Sequence, residues 1–116
     1  MNIKELNSSE IKALSAYAEA WNKLDTSIVM PFLKKDFHYS SFWVFAEIES
    51  KDEYLTYLNG KFNVIKKTSA KVVADIIPEQ KLIKLEQSGV VCVLDVKFDN
   101  NLIVRADLMP PKLYNL

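Results

Sequence analysis

Asp36-Phe37-His38-Tyr39-Ser40-Ser41-Phe42-Trp43-Val44 sets four aromatic rings, the chain's one histidine and two serine hydroxyls into nine consecutive residues. A surface strand has no use for so many rings, because large apolar groups are stable when removed from water. Alternation places Phe37, Tyr39, Ser41, Trp43 and Phe45 on one face of a strand over 37–45. His38, Ser40, Phe42 and Val44 fall on the other. Apolar bulk on both faces means that both are covered or that the strand bends midway, with Glu47-Ile48 adding a short paired segment. The stretch is expected to line a core or a pocket.

Its surroundings supply the rest of the plan. Upstream, Asn7 with Glu10 forms a capping box, and Ile11, Leu14, Tyr17, Ala18, Trp21 and Leu24 recur at helical spacing. Asp25-Thr26 recaps the chain, and a short second helix is expected over 27–34, limited or bent by Pro31. Downstream, Ser50-Lys51-Asp52-Glu53 is another capping box, opening a helix with an apolar face of Tyr54, Leu55, Leu58, Phe62 and Ile65. Gly60 weakens that helix by about 1 kcal/mol relative to alanine, so a kink or close packing is expected there.

From Ala70 the period changes to two, with Ala70, Val72, Ala74 and Ile76 opposite Lys71, Val73, Asp75 and Ile77, until Pro78 ends the strand. Residues 81–86 read as a continuation or a hairpin arm. Strands over 90–98 and 102–109 flank the turn-tolerant Asp99-Asn100-Asn101. Their apolar row is Val90, Cys92, Leu94, Val96 and Phe98 beside Leu102, Val104, Ala106 and Leu108; the opposite row carries Asp95, Lys97, Arg105 and Asp107. Pro110-Pro111 ends the last strand, leaving an extended tail. The fold class is α+β, a curved antiparallel sheet wrapped around N-terminal helices, in a single domain over 1–116.

Composition removes several function classes. Lys+Arg and Asp+Glu both number 15, so there is no overall cationic surplus to displace counterions from nucleic acid. Lys61, Lys66, Lys67 and Lys71 read as the solvated end of a helix. One cysteine and one histidine cannot build a structural zinc site, and Cys92, flanked by valines, is expected to be a packed thiol. No glycine-rich phosphate loop, paired metal-ligand motif or Ser-His-Asp order is present, so neither a metal nor a cofactor is expected. No apolar run resembles a signal peptide or reaches membrane-spanning length, which predicts a cytoplasmic protein without a membrane partner.

Tyr17-Ala18-Glu19-Ala20-Trp21-Asn22-Lys23-Leu24-Asp25, then Phe32-Leu33, then Lys35-Asp36-Phe37-His38-Tyr39, resembles the N-terminal signature of the nuclear transport factor 2-like (SnoaL-like, ketosteroid-isomerase-like) superfamily. That signature is an aromatic helix ending in Asn-x-x-Asp, a short helix ending in Leu, and an acidic-aromatic strand start. The likeness covers nearly the whole chain and implies a cystatin-like cone with an internal pocket. It does not fix a function, because the superfamily includes isomerases, dehydratases, polyketide cyclases and transport factors. Ketosteroid isomerase combines a helix Tyr, a strand Asp base and a later protonated acid. Tyr17 matches the first by position; Ser41 stands in place of the base, and Asp95 falls in the charged row rather than the apolar one. That isomerase chemistry is therefore rejected.

Three functional expectations remain. The first is an aromatic pocket of Tyr17, Trp21, His38, Tyr39, Trp43 and Phe62 binding a small apolar ligand without assigned catalysis, in a homodimer joined through the outer sheet face. The second is a protein-interaction or immunity-type module presenting Val73, Ile77, Val91, Val93 and Ile103 on that face. The third is a small lyase or isomerase with His38 as general base, helped by Tyr17, Ser40 or Asp107.

Overall fold

Asn7 and Glu10 cap each other, each side chain accepting the other's backbone N–H, and α1 (Ser8–Lys23) starts there. The computed structural model describes residues 6–116. The helix buries Leu14, Tyr17, Ala18 and Trp21, while Ile11 at its start stays 39% exposed. Asp25 then caps a 3-10 turn, Thr26–Ile28, by accepting from the Ser27 backbone (3.0 Å) and hydroxyl (2.6 Å). Those bonds hold its carboxyl below the usual range. A second 3-10 turn, Met30–Phe32, contains Pro31. The short helix expected over 27–34 is thus two tight turns, because proline has no N–H for an α-helical ladder.

β1 (Leu33–Ser41) and β2 (Val44–Ile48) form an antiparallel hairpin, with Ser41 opposite Val44 and Tyr39 opposite Ile48. The strand expected over 37–45 is therefore two strands, and Phe42-Trp43 is the turn. This reversal accounts for apolar residues on both faces: beyond Ser41 the alternation no longer refers to one strand. Phe42, Trp43 and Val44 are 56%, 57% and 58% exposed. The side chain of Phe45, expected to share a face with Phe37, lies outside the described residues.

α2 (Lys51–Thr68) is capped by Ser50, which accepts from the Glu53 backbone, and it buries Tyr54, Leu58, Phe62 and Ile65. The helix runs through Gly60 without interruption, and a Cβ there would meet nothing within 4 Å. The close packing expected at Gly60 does not occur.

The remaining strands are β3 (Val72–Ile77), β4 (Leu82–Gln87), β5 (Val90–Asp99) and β6 (Leu102–Met109), giving a curved, unclosed sheet of order β2-β1-β6-β5-β4-β3. α2 carries the chain from one sheet edge to the other, and successive reversals bring it back. β6 therefore reaches β1 running in the same direction, so the sheet is mixed rather than wholly antiparallel. Ser88-Gly89 and Asn100-Asn101 make two-residue turns with positive φ at both positions, the conformation that matches strand twist.

Lys97 faces Arg105 but Phe98 faces Ile103, so Val104 is a bulge. It breaks the expected row through Leu102 and Val104 and turns Ile103 into the core. The tail, expected to be extended, coils into a 3-10 turn, Pro111–Tyr114, and the Tyr114 hydroxyl donates to Asp95 Oδ2 (2.7 Å). It covers one end of the outer face, where Leu82 and Val93 are buried.

At the far edge, Ala74 N–H donates to Asn22 Oδ1 (2.7 Å) and Asn22 Nδ2 donates to Ala74 O (2.9 Å). The Asn-x-x-Asp motif therefore has a physical meaning: Asn22 pairs edge strand β3 as a neighbouring strand would, and Asp25 caps the next turn. Asn22→Ala would leave two backbone groups on that edge without protein partners. Urea unfolding is expected to show a loss of about 1–3 kcal/mol; a loss within error of zero would contradict this role.

Candidate functional site

Tyr54 and Tyr57 lie three residues apart and share one side of α2's first turns. The Ser50 cap, one half of the expected capping box, starts α2 directly after β2, and that side of the helix packs over β1. Tyr54 meets Phe37 at 4.6 Å and Tyr39 at 5.0 Å between ring centroids, and Tyr57 meets Tyr39 at 5.5 Å. From α1, Tyr17 meets Tyr54 edge-on, and their hydroxyls share a hydrogen bond. Burial raises the pKa of Tyr17, Tyr54 and Tyr39 well above the usual tyrosine range, because the phenolate would be desolvated. All three stay protonated at neutral pH.

Beside this cluster a cavity of about 240 Å³ opens between the hairpin and α2, lined by Tyr39, Ser41, Val44, Ala46, Ile48 and Tyr57. Register explains the set: Tyr39 and Ser41 alternate onto the inner face of β1, and Val44 and Ile48 stand opposite them. The lining is aromatic and aliphatic with three hydroxyls, and it contains no carboxylate or imidazole to serve as a base.

The charged constellation lies on the other side of the sheet. His38 is opposite Arg105 and Ser40 opposite Asp107 in the β1–β6 pair. Ser40 Oγ donates to Asp107, Arg105 Nε donates to both Asp107 oxygens (3.1 and 3.0 Å), and Arg105 Nη2 donates to Glu47. His38 Nδ1 lies 3.2 Å from the other Glu47 oxygen. Arg105, then His38, hold the Glu47 carboxyl below the usual glutamate range. The stabilisation Glu47 contributes is present above the ordinary value and lost as the pH falls through its lowered one. Arg105→Gln should move the Glu47 titration, followed by carboxyl NMR, back up; an unmoved midpoint would contradict the pairing. His38, Glu47 and Glu49 bring ligand atoms within 4.8 Å of one another. Arg105 already occupies one Glu47 oxygen, and its charge opposes a cation there.

The expected site residues are thus divided. Tyr17, Trp21, Tyr39 and Phe62 are all buried, and of these Tyr39 lines the cavity. Trp21 packs edge-on against Phe62 at 5.0 Å, deeper in the core. His38 is on the outer face and Trp43 at the hairpin tip, because the turn at 42–43 removes Trp43 from the inner row. The sheet stands between His38 and Tyr17, so they share no position for one substrate. Sequence reasoning missed Tyr57, Ile48, Ala46, Val44 and Ser41 as lining; the Tyr54–Tyr57 spacing was the one signal available for them.

No family model and no curated protein matches the chain. Solved structures match it through their fold. A SnoaL-like protein of unknown function from Burkholderia thailandensis superposes with a TM-score of 0.68 at 13% identity, over 89% of this chain and 96% of that one. The chain has the nuclear transport factor 2-like fold. An NTF2-like protein of unknown function from Cytophaga hutchinsonii gives 0.61 at 12% identity, over 97% and 99% of the two chains. An uncharacterised cystatin-fold protein from Novosphingobium aromaticivorans gives 0.63 at 12% identity, over 89% and 99%. Among the described residues, no helix is long and apolar enough to cross a membrane.

Proposed function

We propose that this nuclear transport factor 2-like chain is a cytoplasmic binding protein that takes a small, largely apolar ligand into the cavity between the β1–β2 hairpin and α2, with no catalysis assigned. The observation that carries the proposal is the lining: Tyr39, Val44, Ala46, Ile48 and Tyr57 border a partly open cavity of about 240 Å³. That is just below the range of roughly 300–1,000 Å³ for drug-sized sites, so a ligand of one or two rings or a short chain is the right size. The tyrosine and serine hydroxyls can orient a single polar group, and the lining holds no carboxylate, amine or imidazole. Indole, followed by ligand-observed NMR, should bind saturably to the wild type and not to Ala46→Trp, whose ring fills the space. Equal binding to both would overturn the assignment.

A second reading concerns assembly. Of the residues expected on the outer face, Val73 is 43% exposed, Ile77 and Val91 are half-buried and Val93 is covered, while Ile103 is turned into the core. We propose that this strip pairs two copies through the outer sheet face in an isologous dimer. Sedimentation velocity should show a dimer that Val73→Asp converts to monomer; a monomeric wild type at tens of micromolar would remove the reading. The exposed Phe42–Val44 tip favours a partner protein there instead.

A further inference from the structure

We infer that the ligand is a monoanionic amphiphile, of the medium-chain carboxylate class, whose charged end is taken by Lys61. The inference rests on the cavity reading above and adds the chemistry of the ligand's polar end. Tyr57 lines the cavity on one side and, on the other, an open groove of about 420 Å³ that continues along α2 past Gly60, Lys61, Val64 and Ile65 to Gln87. One ring therefore separates an apolar hollow from a second, wider opening. Lys61 is the one charged residue in either lining.

Some lysines of the chain are held in ion pairs and others, Lys61 among them, are not. Lys23, Lys34 and Lys97 each have a carboxylate within 4 Å, namely Glu19, Asp99 and Asp95. Among the described residues Lys61 has none. Its ammonium is held 6.0 Å from the Trp21 ring centroid, an arrangement that keeps a cation over an apolar surface instead of in open solvent. The buried Trp21 Nε1 has no acceptor among the described residues. Gly60, one residue earlier, is not required by packing, since a Cβ there would meet nothing; its lack of a side chain leaves the groove wide beside the ammonium. A single cation in an apolar channel selects a single negative charge, and a cationic head group would be repelled. The apolar body would lie against Tyr39 and Ile48, with the head group past Tyr57 at Lys61.

Octanoate, octanamide and octylammonium share one body and differ in charge, so they separate the polar end from the cavity. Titrations would be followed by NMR on the backbone amides of residues 57 and 61 and on the Trp21 indole N–H, identified through Trp43→Phe. The inference predicts that octanoate binds at least about tenfold more tightly than octanamide, as for a charge-assisted contact. Lys61→Gln should bring the two together, and Lys61→Glu should reverse the preference toward octylammonium. Lys61 is half-buried beside Trp21, and unchanged spectra of the free variants would verify their folding. If octanamide binds as tightly as octanoate and Ala46→Trp still abolishes both, the anionic ligand class is wrong and the cavity reading stands. If none of the three binds, both fall.

Discussion

Tyr54→Ala is expected to cost about 3–5 kcal/mol, the range for removing a large buried aromatic and a large share of a small domain's total stability. Tyr54 has no exposed surface and touches Tyr17, Phe37, Tyr39 and Tyr57. It joins both helices to the first strand, so its loss empties the centre of the cluster and not one side of it. Circular dichroism in urea would show a large fall in the midpoint. The hydroxyl can be separated from the ring. Tyr54→Phe keeps the packing but strands the Tyr17 hydroxyl, at about 1–2 kcal/mol. Adding Tyr17→Phe should cost little more, because the group left without a partner is then gone. Strictly additive effects would mean that the two hydroxyls are not partners.

Alkaline pH should unfold the protein steeply, for the same reason. Tyr17, Tyr54 and Tyr39 keep their protons in the fold because burial disfavours the phenolate. In the unfolded chain they ionise at about pH 10. Above that pH the unfolded state binds fewer protons than the native one, so stability falls as pH rises; below it this contribution is fully present. With three protons involved the limiting slope is about 4 kcal/mol per pH unit. Denaturant midpoints between pH 9 and 12 would measure it, and Tyr39→Phe should reduce the slope by about one proton. Stability that stays level to pH 11 would contradict the burial of these hydroxyls.

The parts of the fold legible in the sequence are those written in local chemistry. Asn7 with Glu10, and Ser50 with Glu53, announce both helices because capping needs only neighbouring residues. The final hairpin is announced by Asn100-Asn101, which tolerate positive φ. The β1–β2 hairpin is not announced, since its turn is Phe42-Trp43, with no glycine, asparagine or proline, and neither residue has positive φ. That one hidden turn moved Trp43 from the expected pocket to the surface and concealed Val44, Ala46 and Ile48 as lining. The bulge at Val104 was hidden likewise: it adds a residue to one strand without a compositional mark, yet it changes which face Ile103 occupies. His38 drew attention as the one imidazole, but its register with Arg105 puts it outside. Site residues fixed by pairing between distant strands could be read only after the strands were placed.

The space between Tyr39, Ile48 and Tyr57 is the proposed ligand site. A crystal soaked with 4-iodophenol tests it most directly, because anomalous scattering locates the iodine without assumptions about fit. One strong peak between those three side chains is expected, absent in Ala46→Trp. Iodine found elsewhere on the surface, with the Tyr39 and Tyr57 rings closed together over a filled hollow, would contradict it.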